Sequence, residues 1–335
     1  MTTKIAINGF GRIGRQTFKQ IIEKYPDLEI VCINDLTDTK TLAHLLKYDS
    51  NYGALNQEVS SGEDFISVGS KKYNVTAIKD PLSLPWKDLG VDIVLECTGI
   101  FRKEADIRKH LEAGAKKVIL SSPAEEKTIP AFILGVNAES LDIDKVDVMD
   151  MGSCTTNCLA TMAKVLQDNF GIVKGFMTTV HSYTNDQSIL DLPHKDLRRA
   201  RAAALNIIPT STGAAKSIGR VMPELEGKLD GISMRVPTPV VSVLDLIVEV
   251  KKSTTKEEVN EAFKKAAKSS LKGILDTDEN QLVSMDFKGN EHSAIVDLPE
   301  TMVKDNLVKV VGWYDNEWGY STRLADFTKF VAKKL

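Results

Sequence analysis

No stretch of this 335-residue chain is both long and apolar enough to span a bilayer, since the longest apolar runs, such as VVSVLDLIVEV at 240–250, are short and carry an acid. The start, MTTKIAINGFGRIGR, has an early lysine and then glycines where a leader needs an unbroken apolar core. No export signal is expected, and the cytoplasm is the expected compartment. Cysteine is scarce. Its four copies, at 32, 97, 154 and 158, are too few and too uneven for a disulfide framework. Neither sign of charge is in excess: 43 Lys and Arg face 46 Asp and Glu, a formal net charge of −3. That leaves no global basic field to hold nucleic acid or an anionic membrane, so a small partner is expected. Internal repeats and low-complexity segments are also missing.

What is present is the composition of a globular protein, 42% hydrophobic and 27% charged, in a chain longer than one core usually supports. Two domains are expected. KIAIN (4–8) reads as a buried strand, residues 11–24 as a helix, and LEIVCIND (28–35) as a second strand, which is a unit that builds a parallel sheet. The runs at 91–99, 116–123 and 131–137 continue the strand pattern, with a helix from 103 to 115. The first 150 or so residues therefore read as a doubly wound α/β domain. Beyond Cys154 a helix to about 168 leads into longer strands with alternating character at 171–184, 227–239, 240–252 and 306–316. These predict a mixed, mostly antiparallel sheet in an α+β second domain. Thr255 and Glu258 have capping-box spacing before a further helix, and Tyr320, Leu324, Phe327 and Val331 share one face of a last one.

NGFGRIG sets Gly9, Gly11 and Gly14 in the G-x-G-x-x-G pattern, directly after a strand and opening a helix. The pattern alone is weak, but this context is that of a dinucleotide fingerprint, with the pyrophosphate at the helix N-terminus. Asp35, 21 residues beyond Gly14 at the end of the second strand, can hold the ribose hydroxyls of NAD and repel the extra phosphate of NADP. NAD is the expected cofactor.

GSCTTNC (152–158) carries two of the four cysteines. Helical spacing and a reducing compartment speak against a disulfide, and no second Cys or His pair is visible to complete a metal site. Cys158 heads an apolar stripe with Leu159, Met162, Ala163 and Leu166 and reads as core. Cys154 follows Ser153, a natural N-cap, and so falls in the first turn, where the helix dipole favours a thiolate. Lowering a thiol pKa to about 6 requires roughly 3.4 kcal/mol, more than the roughly 0.3–2 of a helix terminus, so a second stabiliser is expected, an imidazolium. Of His44, His110, His181, His194 and His292, His181 is the best candidate, because it ends an apolar strand of the same domain. A nicotinamide domain joined to an activated Cys and His points to aldehyde oxidation through a thiohemiacetal and a thioester.

NGFGRIGR, SCTTNCLA, VHSYTNDQ, DLPHKDLRRARAAALNIIPTSTGAAK, RVPTP and WYDNEWGYS, in this order across essentially the full chain, resemble the phosphorylating glyceraldehyde-3-phosphate dehydrogenase family. The resemblance implies Cys154 as nucleophile and His181 as its base, acting on glyceraldehyde 3-phosphate and inorganic phosphate. It implies substrate-phosphate contacts at Thr184 and Arg235, and inorganic-phosphate contacts at Ser153, Thr155, Arg199, Thr212 and Gly213. Cofactor contacts are implied at Arg12, Ile13, Asp35, Lys79, Ser121 and Asn316, with Tyr320 near the nicotinamide. The final helix is implied to return to the Rossmann domain, giving 1–153 with 317–335 as the NAD-binding domain and 154–316 as the catalytic one. Residues 185–206 resemble the family's S-shaped loop, which implies a homotetramer; without the resemblance, Arg198, Arg199 and Arg201 read as a solvated face. Two departures stand out: Asp150, Met151, Gly152 and Ser153 replace the usual Ser, Asn, Ala, Ser, and Val240 replaces an Asn. A charge at Asp150 beside Cys154 would oppose the thiolate. Two other readings fit the sequence: erythrose-4-phosphate dehydrogenase, and a non-catalytic NAD-binding redox sensor.

Overall fold

A computed structural model of the chain describes residues 2–335, which form two compact units. The first comprises the described residues up to Phe132 together with Ser140–Gly152 and Leu324–Leu335. Its eight-stranded sheet runs in the order Val148–Asp150, Lys117–Leu120, Ile93–Glu96, Thr3–Asn8, Leu28–Asn34, Lys71–Thr76, Phe65–Val68, Val59–Ser61. The first six strands are parallel and the last two antiparallel. The parallel strands in the middle of the sheet are largely apolar because both faces are covered, whereas Lys71–Thr76 is polar and half exposed. Ile5, Ile7, Ile33, Ile93, Leu95, Val118 and Ile119 are all fully buried.

The second unit comprises Ile133–Glu139 and Ser153–Arg323. Its sheet has the order Ile208–Ser211, Leu229–Val236, Ile172–Ser182, Ser242–Val250, Leu307–Tyr314, Ala294–Lys304, Leu275–Asp278. Four of its pairings are antiparallel and two parallel, as the alternating pattern predicts. The helix Cys154–Phe170 buries its Leu159, Met162, Ala163 and Leu166 stripe, and the helix Lys256–Lys268 begins with the Thr255–Glu258 capping box.

Three expectations need correction. Residues 131–137 are not a strand: Ala131 makes one bridge to Asp150, and the chain then turns, with the Asn137 side chain accepting from Ile133 N–H at 2.8 Å and Gly135 at φ +75. The place beside Lys117–Leu120 is taken instead by Val148–Asp150. The boundaries of the units along the chain also fall at other residues than expected. Residues 133–139 belong to the second unit, where Gly135 packs so tightly on Leu271 that a Cβ would lie 2.6 Å from it. The return to the first unit starts at Leu324 rather than 317, partway along the last helix, Trp318–Ala332. Arg323 stays with the second unit because its guanidinium donates to the carbonyls of Gly273 and Glu291 and to Ser293 Oγ at 2.8–3.1 Å. Beyond it, Phe327 stacks on Phe132.

Candidate active site

Ser153 has an extended backbone, and its Oγ accepts the Thr156 N–H at 3.0 Å, which starts the helix and makes Cys154 its first residue. The Cys154 Sγ lies 3.5 Å from Nε2 of His181. His181 is the penultimate residue of Ile172–Ser182, where the parallel register with Leu229–Val236 sets it opposite Arg235. His181 Nδ1 is 2.7 Å from the Ser182 carbonyl oxygen and 3.0 Å from Arg235 Nη1. A carbonyl only accepts and a guanidinium only donates, so Nδ1 cannot hydrogen-bond to both. The shorter contact is to the carbonyl, and Arg235 Nη1 donates to that same oxygen at 3.1 Å. The proton is therefore assigned to Nδ1, and Nε2 turns a lone pair toward the thiol.

The charges differ from the expected thiolate and imidazolium. Burial pushes the Cys154 thiol up, and the Arg235 charge offsets this only in part. Burial and the same guanidinium push His181 down to about 3. An imidazolium here would be a second buried cation against Arg235, so the positive charge beside the sulfur is the guanidinium and His181 is a neutral base. Asp150 directs its carboxylate to the N–H groups of Ala124 and Gly152, at 3.0 and 2.8 Å. Cys158 is buried against Met162, its thiol pushed well up by desolvation.

The residues implied for anion binding are placed unevenly. Thr184 Oγ1 accepts from Arg235 at 3.4 Å. Arg199 is no solvated arginine: it donates to Thr210 Oγ1 at 2.9 Å and to the Ser211 carbonyl, pairs with Asp186, and lies near enough for its charge to depress His181. Arg201, in contrast, pairs with Asp191 at the surface. Thr212 Oγ1 accepts from Ala214 N–H at 3.2 Å, and Gly213 leads into the helix Ala214–Val221 with no side-chain cap. The Thr155 hydroxyl is turned inward to Tyr314 Oη at 2.9 Å. Tyr314 went unnoticed in the sequence. Its hydroxyl also bonds Thr179 at 2.8 Å and its ring meets His181 edge-on, 6.0 Å between centroids. Only its place at the inward end of an alternating strand could have marked it.

In the first unit, Gly9, Gly11, Asp35 and Lys79 line a groove of about 610 Å³. Gly9 has φ +92, and a Cβ there would strike Thr98 N at 2.6 Å; a Cβ on Gly14 would strike Gly9 O at 2.2 Å. One glycine is needed for the turn and the other for helix–strand contact. The helix Arg12–Lys24 has no side-chain cap, leaving N–H donors for a pyrophosphate. Asp35 is oriented by the N–H groups of Phe10 and Thr37, at 2.7 and 3.0 Å, with lone pairs remaining for a ribose. These residues fit a dinucleotide. Ile13 is partly buried in the first helical turn, and Ser121 N–H bonds the Glu96 carbonyl at 3.0 Å. Arg12 is drawn aside, paired with Asp49 at 2.6 Å and lying over the Tyr52 ring. Asn316 and Tyr320 stand in the second unit. Asn316 Oδ1 accepts from Ser182 and Ser242, at 2.9 and 3.2 Å, and Tyr320 lines a cleft with Cys154.

A dinucleotide fold and a Cys–His pair define a dinucleotide-dependent oxidoreductase with a thiol centre. Residues 3–104 match the family model described as glyceraldehyde 3-phosphate dehydrogenase, NAD binding domain, and residues 153–316 match its C-terminal domain. Glyceraldehyde-3-phosphate dehydrogenase 2 of Streptomyces avermitilis is 56% identical over 336 residues, covering 100% of both chains. The similarly named proteins of Streptomyces coelicolor and Geobacillus stearothermophilus are each 57% identical, covering 100% of this chain and 100% and 99% of their own. The chain belongs to the glyceraldehyde-3-phosphate dehydrogenase family.

Proposed function

We propose that the protein oxidises D-glyceraldehyde 3-phosphate with NAD and inorganic phosphate to 1,3-bisphosphoglycerate. The carrying observation is the 3.5 Å approach of Cys154 Sγ to an imidazole nitrogen whose tautomer makes it a base. His181 Nε2 takes the thiol proton as sulfur bonds to the aldehyde carbon, and returns it to the carbonyl oxygen. It then removes the hydroxyl proton as the carbon–hydrogen bond breaks and the thioester forms. The bound nicotinamide supplies the acceptor of the hydride. A phosphate oxygen next attacks the thioester, and Cys154 leaves as thiolate, stabilised by Arg235 and by its place at the helix terminus. Arg235 and Thr184 hold the phosphate of the substrate; Ser153, Thr155, Arg199, Thr212 and Gly213 surround the attacking one. As placed, Thr155 would contribute through its backbone, since its hydroxyl is held by Tyr314.

The working form is a homotetramer. In its support, Ile189, Leu190, Leu197, Leu205 and Ile207 are 70–82% exposed in or beside the 185–206 segment, which is more apolar surface than an isolated subunit gains from. Among the described residues no helix is long and apolar enough to cross a membrane. Four free thiols, one of them the nucleophile, suit a reducing compartment, the cytoplasm.

The decisive experiment is NADH formation from glyceraldehyde 3-phosphate and NAD, with and without inorganic phosphate, and then from erythrose 4-phosphate. Sustained turnover that depends on phosphate and favours the shorter sugar supports the reading. A single burst of one NADH per subunit despite phosphate would refute it.

A further inference from the structure

Glu96 ends the strand Ile93–Glu96 with its side chain 2% exposed in the core of the first unit. A buried carboxylate is costly unless its lone pairs are filled, and here four donors fill them. Oε2 accepts from Asn8 Nδ2 at 2.6 Å and from His110 Nε2 at 3.1 Å. Oε1 accepts the Thr98 N–H at 2.8 Å and the Thr98 hydroxyl. The direction of the His110 contact follows from its other nitrogen. Trp86 Nε1–H donates to Nδ1 at 3.0 Å, so the ring proton is on Nε2 and points at Glu96. Trp86 and His110 are both fully buried, and neither is among the residues that line the groove.

The network continues toward the groove. Asn8 Oδ1 accepts from Asn34 Nδ2 at 2.7 Å, and the Asn34 side chain pairs with both the N–H and the carbonyl of Ile78 at 2.9 Å. Asn8, Asn34 and Glu96 are the last residues of three adjacent parallel strands and stand opposite one another in register. Side-chain bonds thus tie three strand ends together where a doubly wound sheet binds its ligand. Asn8, Asn34, Ile78 and Thr98 all line the groove, and Thr98 is the residue against which Gly9 packs.

We infer that Trp86, His110 and Glu96 are positioning residues for dinucleotide binding, setting through Asn8 and Thr98 the wall against which the cofactor lies. This rests on the reading of the groove as the NAD site. Removing the His110 donor leaves a buried carboxylate short of one partner, which relaxes by pulling on Asn8 or Thr98 and moves the wall. A hydrogen bond to a charged group is worth enough that affinity should change by about tenfold.

The experiment titrates the full-length enzyme with NAD, measuring Kd directly, and separately measures the alkylation rate of Cys154 by iodoacetamide without NAD. For His110→Leu, Kd should rise about tenfold while the alkylation rate stays within twofold of the parent. His110→Gln, which offers an amide N–H near the place of Nε2, should recover most of the affinity. Should His110→Leu fail to fold, Thr98→Val removes one donor from Glu96 at the groove itself and should raise Kd in the same direction. A thermal destabilisation of His110→Leu with Kd unchanged, or no recovery in His110→Gln, would overturn the inference and leave the network a purely structural one. If the parent enzyme bound no NAD, the groove reading and the inference would fall together; if it binds and the foldable variants bind equally well, only the inference falls.

Discussion

Arg235, proposed to hold the substrate phosphate, has a guanidinium nitrogen 3.0 Å from Nδ1 of His181, and its charge adds to burial in lowering the pKa of that imidazole. Arg235→Leu should raise the KM for glyceraldehyde 3-phosphate by at least about tenfold, the worth of one charged hydrogen bond. It should also slow alkylation of Cys154 at neutral pH, because the charge that pulls the thiol pKa down is gone. Steady-state rates and iodoacetamide kinetics check both, and a change in KM without a change in thiol reactivity would separate the two roles.

Nε2 of His181 lies 3.5 Å from the thiol sulfur. His181→Asn should lower kcat by roughly 10²–10⁴, the usual contribution of a general base. The Kd for NAD should not move, and a loss of NAD affinity as large as the loss of kcat would mean that the variant had disturbed more than proton transfer.

Cys154→Ser keeps the shape of the helix start but substitutes a much weaker nucleophile. Oxidation should fall below detection while NAD binding stays within about twofold of the parent. Retained turnover in this variant would remove the covalent route altogether.

Asp35 is fixed by two backbone N–H groups at the edge of the groove. Asp35→Gly removes both the ribose acceptor and the charge that repels a 2′-phosphate. The ratio of kcat/KM for NAD over NADP should drop by about tenfold or more, measured with each cofactor in turn.

Asp49 is a second buried carboxylate, with a side chain only 1% exposed. Burial pushes its pKa up, but the bonds and charge of Arg12 and the N–H groups of Asn51 and Tyr52 outweigh this and leave it lowered. A carboxyl lowered in the folded state adds stability in full above its unfolded pKa of about 3.9, and loses it as pH falls through the folded value. Asp49→Asn should therefore cost about 2 kcal/mol at pH 7, read from urea unfolding, with the gap to the parent closing in acid. A gap that persisted unchanged to about pH 2 would show that the ion pair is not its source.

Local rules carried much of this protein. Gly9 and Gly14 are legible because each answers a backbone requirement within a few residues, and both meet it as the motif predicts. Ser153 as cap, with Cys154 in the first turn, follows from short-range capping chemistry. The helices at 12–24 and 256–268 follow from periodicity, the second also from its capping box. The same rules failed at 131–137, where an apolar run has a turn at Gly135 that periodicity does not register.

What the tertiary structure alone decided is which distant residues meet, and with what charge. His181 faces Arg235 because two parallel strands pair in one register, and no spacing in the sequence encodes that neighbour. Burial, with that guanidinium beside it, keeps the imidazole neutral and leaves the guanidinium as the cation beside the sulfur, where residue types suggest an imidazolium. Glu96, Asn8 and Asn34 likewise met only when three strand ends came together. Sequence sets backbone conformation over a turn or a strand, because those constraints are short-ranged. Burial and electrostatics depend on every neighbour at once, and so they exist only in the folded chain.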